Sequence, residues 1–307
     1  FFQAINITKD RKNWIYFFNF LTLFLSAVGA LIFALNYLTF GLFIFSMLYA
    51  MFVLNIYGTL YYHRYCSHQV YKVKNNFSHW VIKLLAPRLF SEEVFLFAHL
   101  THHKYADTEL DPHNPKSGWL FCFLSDFTQM RTQTQMSKEE YLKALSLFSH
   151  VSIQKNSYEE YLKWGTLTKP FPYVVEVLLS WMIWSLIFYF AGGVHLLFSF
   201  YLGCFFWGVF ARNFNYKAHG GGEDKRIKNR DFDIHSISLN LWLPGVTAGE
   251  WHSNHHICPR SANNGFKKNQ IDLTFQLIKF LKKIRIISYY NNHQEEFFKK
   301  YPEVKDH

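Results

Sequence analysis

Two five-residue stretches share one pattern: HLTHH places His99, His102 and His103, and HSNHH places His252, His255 and His256. On a helix, residues at i, i+3 and i+4 share one face, so each stretch offers three imidazoles from a single stripe. A lone histidine is ordinarily a solvated or hydrogen-bonded residue, but a matched pair of such stripes is a ligand set. Upstream, HRYCSH adds His63 and His68, and NYKAH adds Asn215 and His219, giving nine histidines and one amide. A nitrogen-rich set without thiolates suits iron, zinc or copper, and nine ligands exceed the four to six positions of one ion. Two metals are the economical count.

Elements able to hold these side chains are legible nearby. Ser91 followed by Glu92 and Glu93 marks a helix start ahead of His99. Thr247 with Glu250 forms a capping-box pattern ahead of His252, and Pro259 closes that helix. Asn215 and His219 stand one turn apart. His63 and His68, five apart, fall about 140° apart on an α-helix, which would let them reach two different metals.

Half of the 307 residues are hydrophobic and a fifth are aromatic, heavy for a soluble domain, yet mean hydropathy is only -0.05 because polar segments dilute the apolar ones. No Asp, Glu, Lys or Arg occurs from Asn13 to His63. As helix this run would measure about 77 Å against a ~30 Å hydrocarbon core, which predicts two crossings, at 14–35 and 38–60, turning at Asn36 and Tyr37. The run from Pro170 to Ala211 holds only Glu176 and predicts two more, turning at Gly192 and Gly193. Glu176 reads as a residue of the first interfacial turn rather than an intramembrane site.

Neither turn contains Lys or Arg, so the positive-inside rule sets both termini and the middle segment in the cytoplasm. The first apolar stretch is too long for a signal peptide and shows no small-residue cleavage site, so it reads as a span. The expected fold is all-α and integral to the membrane: hairpins at 14–60 and 170–212, and helical cytosolic segments at 61–169, with the first two histidine boxes, and 213–307, with the third. Cys66, Cys122, Cys204 and Cys258 show no CxxC pair and imply neither disulfides nor a thiolate site. The net charge of +10 fits a face turned to anionic lipid, and no nucleic-acid partner is expected.

Residues 77–90, broken at Pro87, read as a helix lying on the membrane surface, with His79 interfacial rather than a ligand. Ser137 with Glu140 and Ser157 with Glu160 are capping boxes opening charged helices. GGGEDKRIKNRDF lacks the Lys-Ser/Thr ending of a phosphate loop and reads as a connection. Near the C-terminus, Leu277, Phe280, Leu281 and Ile284 fall opposite Lys279, Lys282 and Lys283, a basic amphipathic helix.

Ligands gathered from three segments at a membrane surface point to catalysis on lipid. An unactivated acyl C–H bond offers nothing to a general base or nucleophile, so an oxidising cofactor must carry the reaction, and iron with dioxygen fits. The chain resembles the membrane fatty-acyl desaturases, especially the acyl-CoA Δ9 type and its bacterial relatives. HRYCSH resembles the first histidine box, HLTHHKYADTELDPHN the second, HSNHH the third, and NYKAH the short Asn-x-x-x-His element before it. The resemblance implies a non-haem di-iron centre that uses dioxygen and two electrons from an external carrier to form a cis double bond. Its implied ligands are His63, His68, His99, His102, His103, His219, His252, His255 and His256, with Asn215 acting through water.

It further implies a long-chain acyl substrate, carried on CoA or a lipid, and a cytochrome-b-type or ferredoxin-type carrier with its reductase. Glu250 lies closer to the third box than in many animal members, GGG follows His219, and His252 in place of glutamine separates the chain from front-end desaturases. No His-Pro-Gly-Gly haem motif occurs within these residues. A lipid hydroxylase with the same boxes is the nearest alternative, although the DPHN tail favours desaturation. A zinc transporter would place its ligands at the bilayer midplane, whereas these spans hold no histidine except His195 at a turn.

Overall fold

A computed structural model describes residues 1–106, 108–128, 132–217, 251–266, 270–300 and 302. His219, the Thr247–Glu250 capping box and the glycine-rich connection lie outside the described residues. The chain divides into two compact units. The first comprises Phe1–Leu54, Leu84–Leu100 and Leu124–Val209, and the second Asn55–Lys83, Thr101–Phe123 and Phe210–His307.

Among the described residues three helices are long and apolar enough to cross a membrane: Arg11–Asn36, Phe40–Ser67 and Pro170–Lys217. We label Trp14–Asn36 as α1, Phe40–Ser67 as α2 and Pro170–Lys217 as α7. Between α1 and α2 the chain turns at Tyr37, where the expected Asn36–Tyr37 turn falls, and the Thr39 hydroxyl caps α2 by accepting from the Leu42 N–H. α7 is interrupted at Gly192 and Gly193. Gly193 has φ 64° and ψ -158°, a region open essentially to glycine alone. Residues on either side of this break lie side by side: Phe188 stacks on Phe200 at 4.6 Å, Trp181 on Tyr201 at 5.7 Å, and Ser185 bonds Tyr201 at 2.9 Å. Ser46 of α2 bonds Ser199 at 2.7 Å, a polar pair of the kind that joins helices where water is absent.

Still within the first unit, the chain before the second histidine box is fixed by buried charge. Arg88 pairs with Glu92 and, at 2.6 Å, with Glu176, while its guanidinium lies 4.9 Å over the Tyr173 ring. Glu176 thus has a structural partner. The Trp181 indole N–H donates to the Arg88 carbonyl at 2.9 Å, so loop and helix are joined at two levels. Helix α4, Glu92–Tyr105, begins where Ser91 and the two glutamates predict, with the Val94 N–H donating to Ser91 Oγ at 3.4 Å.

Glu93 is wholly buried and accepts from the Thr132 hydroxyl and from the Leu167 and Thr168 N–H groups, at 3.1, 2.9 and 2.8 Å. Burial pushes its pKa up, and those donors only partly oppose the shift. Both expected capping boxes are present, Ser137 with Glu140 opening α5 (Lys138–Leu147) and Ser157 with Glu160 opening α6 (Tyr158–Trp164). The core of this unit gathers Trp14, Ile15, Tyr16, Val94, Phe127, Tyr173 and Val177.

The second unit adds a short two-stranded ribbon to the expected helical fold. Although the molecule is mostly helical, β1 (Tyr71–Val73) pairs antiparallel with β2 (Ile287–Tyr290), Tyr71 facing Tyr290. Helix α3 (Asn76–Lys83) stops before Pro87, and His79 is not interfacial: it is buried, its Nδ1 3.3 Å from the Tyr65 hydroxyl and its ring beside Tyr61. Helix α8 is His252–Ile257, α9 is Leu273–Lys283 and α10 is Gln294–Lys300. In α9 the buried face is Thr274, Phe275, Ile278 and Leu281, whereas Phe280 and Ile284 are exposed. Asp272 caps α9, and Phe275 of the inward 275–278–281 stripe meets the Tyr290 ring of β2 at 5.5 Å.

Candidate metal centre

His63 and His68 meet rather than diverge. The C-terminal part of α2, Thr59–Ser67, is wound as a π-helix, and the His68 N–H donates to the His63 carbonyl five residues back at 3.2 Å. The wider turn brings the two rings to 5.0 Å, so the 140° separation that 3.6 residues per turn would give does not hold here. Both belong to one group with His103 and His255, whose ligand-capable nitrogens lie within 4.8 Å of one another. His63 Nε2 and His103 Nε2 are each 2.9 Å from His255 Nε2.

A second group unites His102, His252 and His256. His256 Nε2 is 2.9 Å from His252 Nε2 and 3.3 Å from His102 Nε2. The groups adjoin, since the His103 and His256 rings stack at 4.4 Å. Each HxxHH stripe is therefore divided. Neighbours His102 and His103 go to different groups, and so do His255 and His256.

These contacts fit a cation. His255 Nε2 faces two other Nε2 atoms at once, and a single shared proton cannot satisfy three ring nitrogens. Two imidazole nitrogens each about 2.1 Å from one ion and about 90° apart would lie about 3.0 Å from each other, close to the spacing found. Burial first, then neighbouring imidazoles and the Arg260 and Arg64 guanidiniums, holds His68 well below the usual histidine range. His255 is held down likewise by burial and then by His63, His68, His103 and His256. Both rings are neutral at pH 7, with lone pairs available.

His99 is buried on α4, one turn before His103 on the same face, with its ring against Phe95 at 5.8 Å. Asn215 occupies the last turns of α7, half-buried, and its neighbour Phe214 meets the His252 ring at 5.0 Å. His219 lies outside the described residues. His150, His195 and His293 stand apart from both groups; His195 meets the Tyr37 ring and His293 bonds Glu296.

Two residues escaped the sequence reading. Asp111 and His113, from DPHN, form a third group with His102. Asp111 Oδ1 accepts from His102 Nδ1 at 2.8 Å and from the His113 backbone N–H at 2.8 Å. Holding the proton on Nδ1 turns the His102 Nε2 lone pair toward His256 and His252. The usable signal was a carboxylate beside a proline shortly after a histidine helix.

The fatty acid desaturase family model matches residues 38–268, and the chain belongs to that family. It is 27% identical over 238 residues to an acyl-CoA C20 Δ5-desaturase of Anemone leveillei, covering 73% of this chain and 65% of that protein. A palmitoyl-monogalactosyldiacylglycerol Δ7 desaturase of Arabidopsis thaliana chloroplasts is 24% identical, over 74% of this chain and 56% of its own length. An sn-1 stearoyl-lipid 9-desaturase of a Synechocystis strain is also 24% identical, over 73% and 63%. The matches thus span less than two thirds of these relatives.

Proposed function

We propose that the chain is an oxygen-dependent fatty-acyl desaturase that introduces a cis double bond into an acyl chain carried on CoA or a lipid. The observation that carries this reading is the pair of adjoining imidazole groups, each drawing on both HxxHH helices, in a member of this family. Under it, His63, His68, His99, His103 and His255 hold one iron. His102, His252, His256 and His219 hold the second, with Asn215 acting through water.

Bound iron with dioxygen supplies the oxidising power that an unactivated C–H bond requires. The acyl chain loses two hydrogens, and dioxygen, two electrons from an external cytochrome-b-type or ferredoxin-type donor, and two protons complete the balance as two waters. The residues of this chain supply neutral, largely buried imidazoles and the Asp111 carboxylate that orients His102.

Topologically the reading comprises four crossings in two hairpins, 14–60 and 170–212, with 61–169 and 213–307 on the cytoplasmic side. The Lys and Arg distribution and the break at Gly192–Gly193 support it. Expression in a desaturase-deficient host, with fatty acids analysed by gas chromatography, tests the chemistry. A new cis-monounsaturated acid is expected. A hydroxylated acid would make the chain a hydroxylase, and purified protein holding zinc without iron would overturn the oxidative reading.

A further inference from the structure

Between His63 and His68 lies an arginine that the proposed chemistry does not use. Arg64 is 1% exposed, and its Nη2 donates to Asp272 Oδ2 at 2.7 Å while Nη1 donates to the Ala262 carbonyl. Both side chains of this ion pair are buried. Replacing a buried pair with apolar groups is often neutral for stability, so burial alone gives no reason for an arginine here. Its partners do.

Asp272 has three roles. Its Oδ1 accepts from the Phe275 N–H at 2.9 Å and so caps α9, and its Oδ2 takes the Asn264 N–H at 2.8 Å as well as Arg64. The third box is held by Asn264 and Gln270. Asn254, between His252 and His255, donates through Nδ2 to the Asn264 carbonyl at 2.8 Å and to Gln270 Oε1 at 2.9 Å. Gln270 Oε1 also takes the Phe266 N–H at 3.1 Å. A Cβ at Gly265 would stand 2.1 Å from the Gln270 carbonyl oxygen, so only glycine allows these two residues to approach so closely.

We propose that Arg64 is a positioning residue anchored by Asp272, and that Ala262, Asn264, Gln270 and Asp272 together clamp the first histidine box to the third. The guanidinium, held at Asp272 and Ala262, fixes the wide turn on which His63 and His68 converge. Asn254 fixes the helix that brings His255 to them. This proposal rests on the metal reading above, because it acts through residues assigned there as ligands.

The test uses the purified full chain in detergent, loaded with ferrous iron. Iron per chain, the rate of iron loss to a chelator, and the melting temperature are measured for the parent, Asp272→Asn, Arg64→Lys, Arg64→Met and Ser137→Ala. Asparagine keeps the α9 cap but not the charge. Asp272→Asn leaves the buried Arg64 charge unpaired and so lowers the melting temperature. With each variant held at the same interval below its own melting temperature, it is expected to lose iron about 10 to 100 times faster than the parent, the range for groups that orient ligands. Arg64→Lys should fall between Arg64→Met and the parent, and Ser137→Ala, which loses a cap in the other unit, should match the parent.

Parent-like iron retention in both Asp272→Asn and Arg64→Lys would overturn the clamp. So would iron release that merely tracks melting temperature across the series. If Asp272→Asn is not recovered folded, Arg64→Lys decides by the same readout. A parent that takes up no iron would bring down the metal reading and the clamp with it, whereas a loaded parent matched by its variants would bring down the clamp alone.

Discussion

The Nδ1 of His102 lies 2.8 Å from Oδ1 of Asp111, with both side chains buried. Asp111 fixes which ring nitrogen of His102 carries the proton, and so which one is free to bind a metal. Asp111→Asn retains an acceptor without the charge, and Asp111→Ala retains neither. Turnover and iron affinity are therefore expected to fall about 10 to 100-fold in the alanine variant and less in the asparagine variant. Iron titration alongside product analysis checks this, and equal losses in the two variants would count against an orienting role.

Alanine at His63, His68, His99, His102, His103, His252, His255 or His256, or at His219, should abolish product formation under the proposed function. His150, His195 and His293 should tolerate the same change, since they stand outside both groups. Asn215→Ala should keep iron but lose most turnover. Parent-like activity in two or more box variants would break the ligand assignment.

Glu93 gives a pH prediction. Its carboxyl is pushed up by burial, so the folded state holds the proton more tightly than the unfolded chain does. The stability that this protonation contributes is present below the ordinary glutamate range and is lost as pH rises through the raised value. Melting of the metal-free protein from acid to neutral pH should therefore fall in the parent relative to Glu93→Gln. A gap between them that does not change with pH would show that Glu93 does not titrate as described.

Gly193→Val places a β-branched residue at φ 64°, ψ -158°, where the backbone strain costs about 1 to 3 kcal/mol. A lowered melting temperature is expected. If the variant melts with the parent, the break in α7 does not have this geometry in solution.

Cysteines introduced at Asn36 and Gly192 should react with an impermeant thiol reagent from outside the cell, and one at Ser137 should not. Outside labelling at Ser137 would reverse the proposed topology.

Much of this was legible because its signals are local. Runs nearly free of charge mark the apolar helices, Asn36–Tyr37 and Gly192–Gly193 mark their turns, and the Ser137 and Ser157 boxes are complete within four residues. The HxxHH stripes lie within single helices. What escaped depends on departures from ideal winding or on distant pairing. A 3.6-residue period separates His63 from His68, and only the π-wound end of α2 rejoins them. Arg64 and Asp272 are 208 residues apart. β1 and β2, three and four residues long, are too short for alternation to be read. The burial of Phe275 rather than Phe280 is set by β2, which no pattern within α9 can announce.

In α4 and α8 the residues assigned to different groups are sequence neighbours: His102 with His103, and His255 with His256. Adjacent Cα atoms are held about 3.8 Å apart by the peptide unit. The spacing of the backbone anchors of the two imidazole groups is thus a covalent quantity, written twice into the chain. Repacking around the centre can tilt a ring or shift a helix, but it cannot stretch that anchor spacing. Only inserting or deleting a residue within a box would change it, and the same edit would rotate the remaining histidines of that box off the shared face.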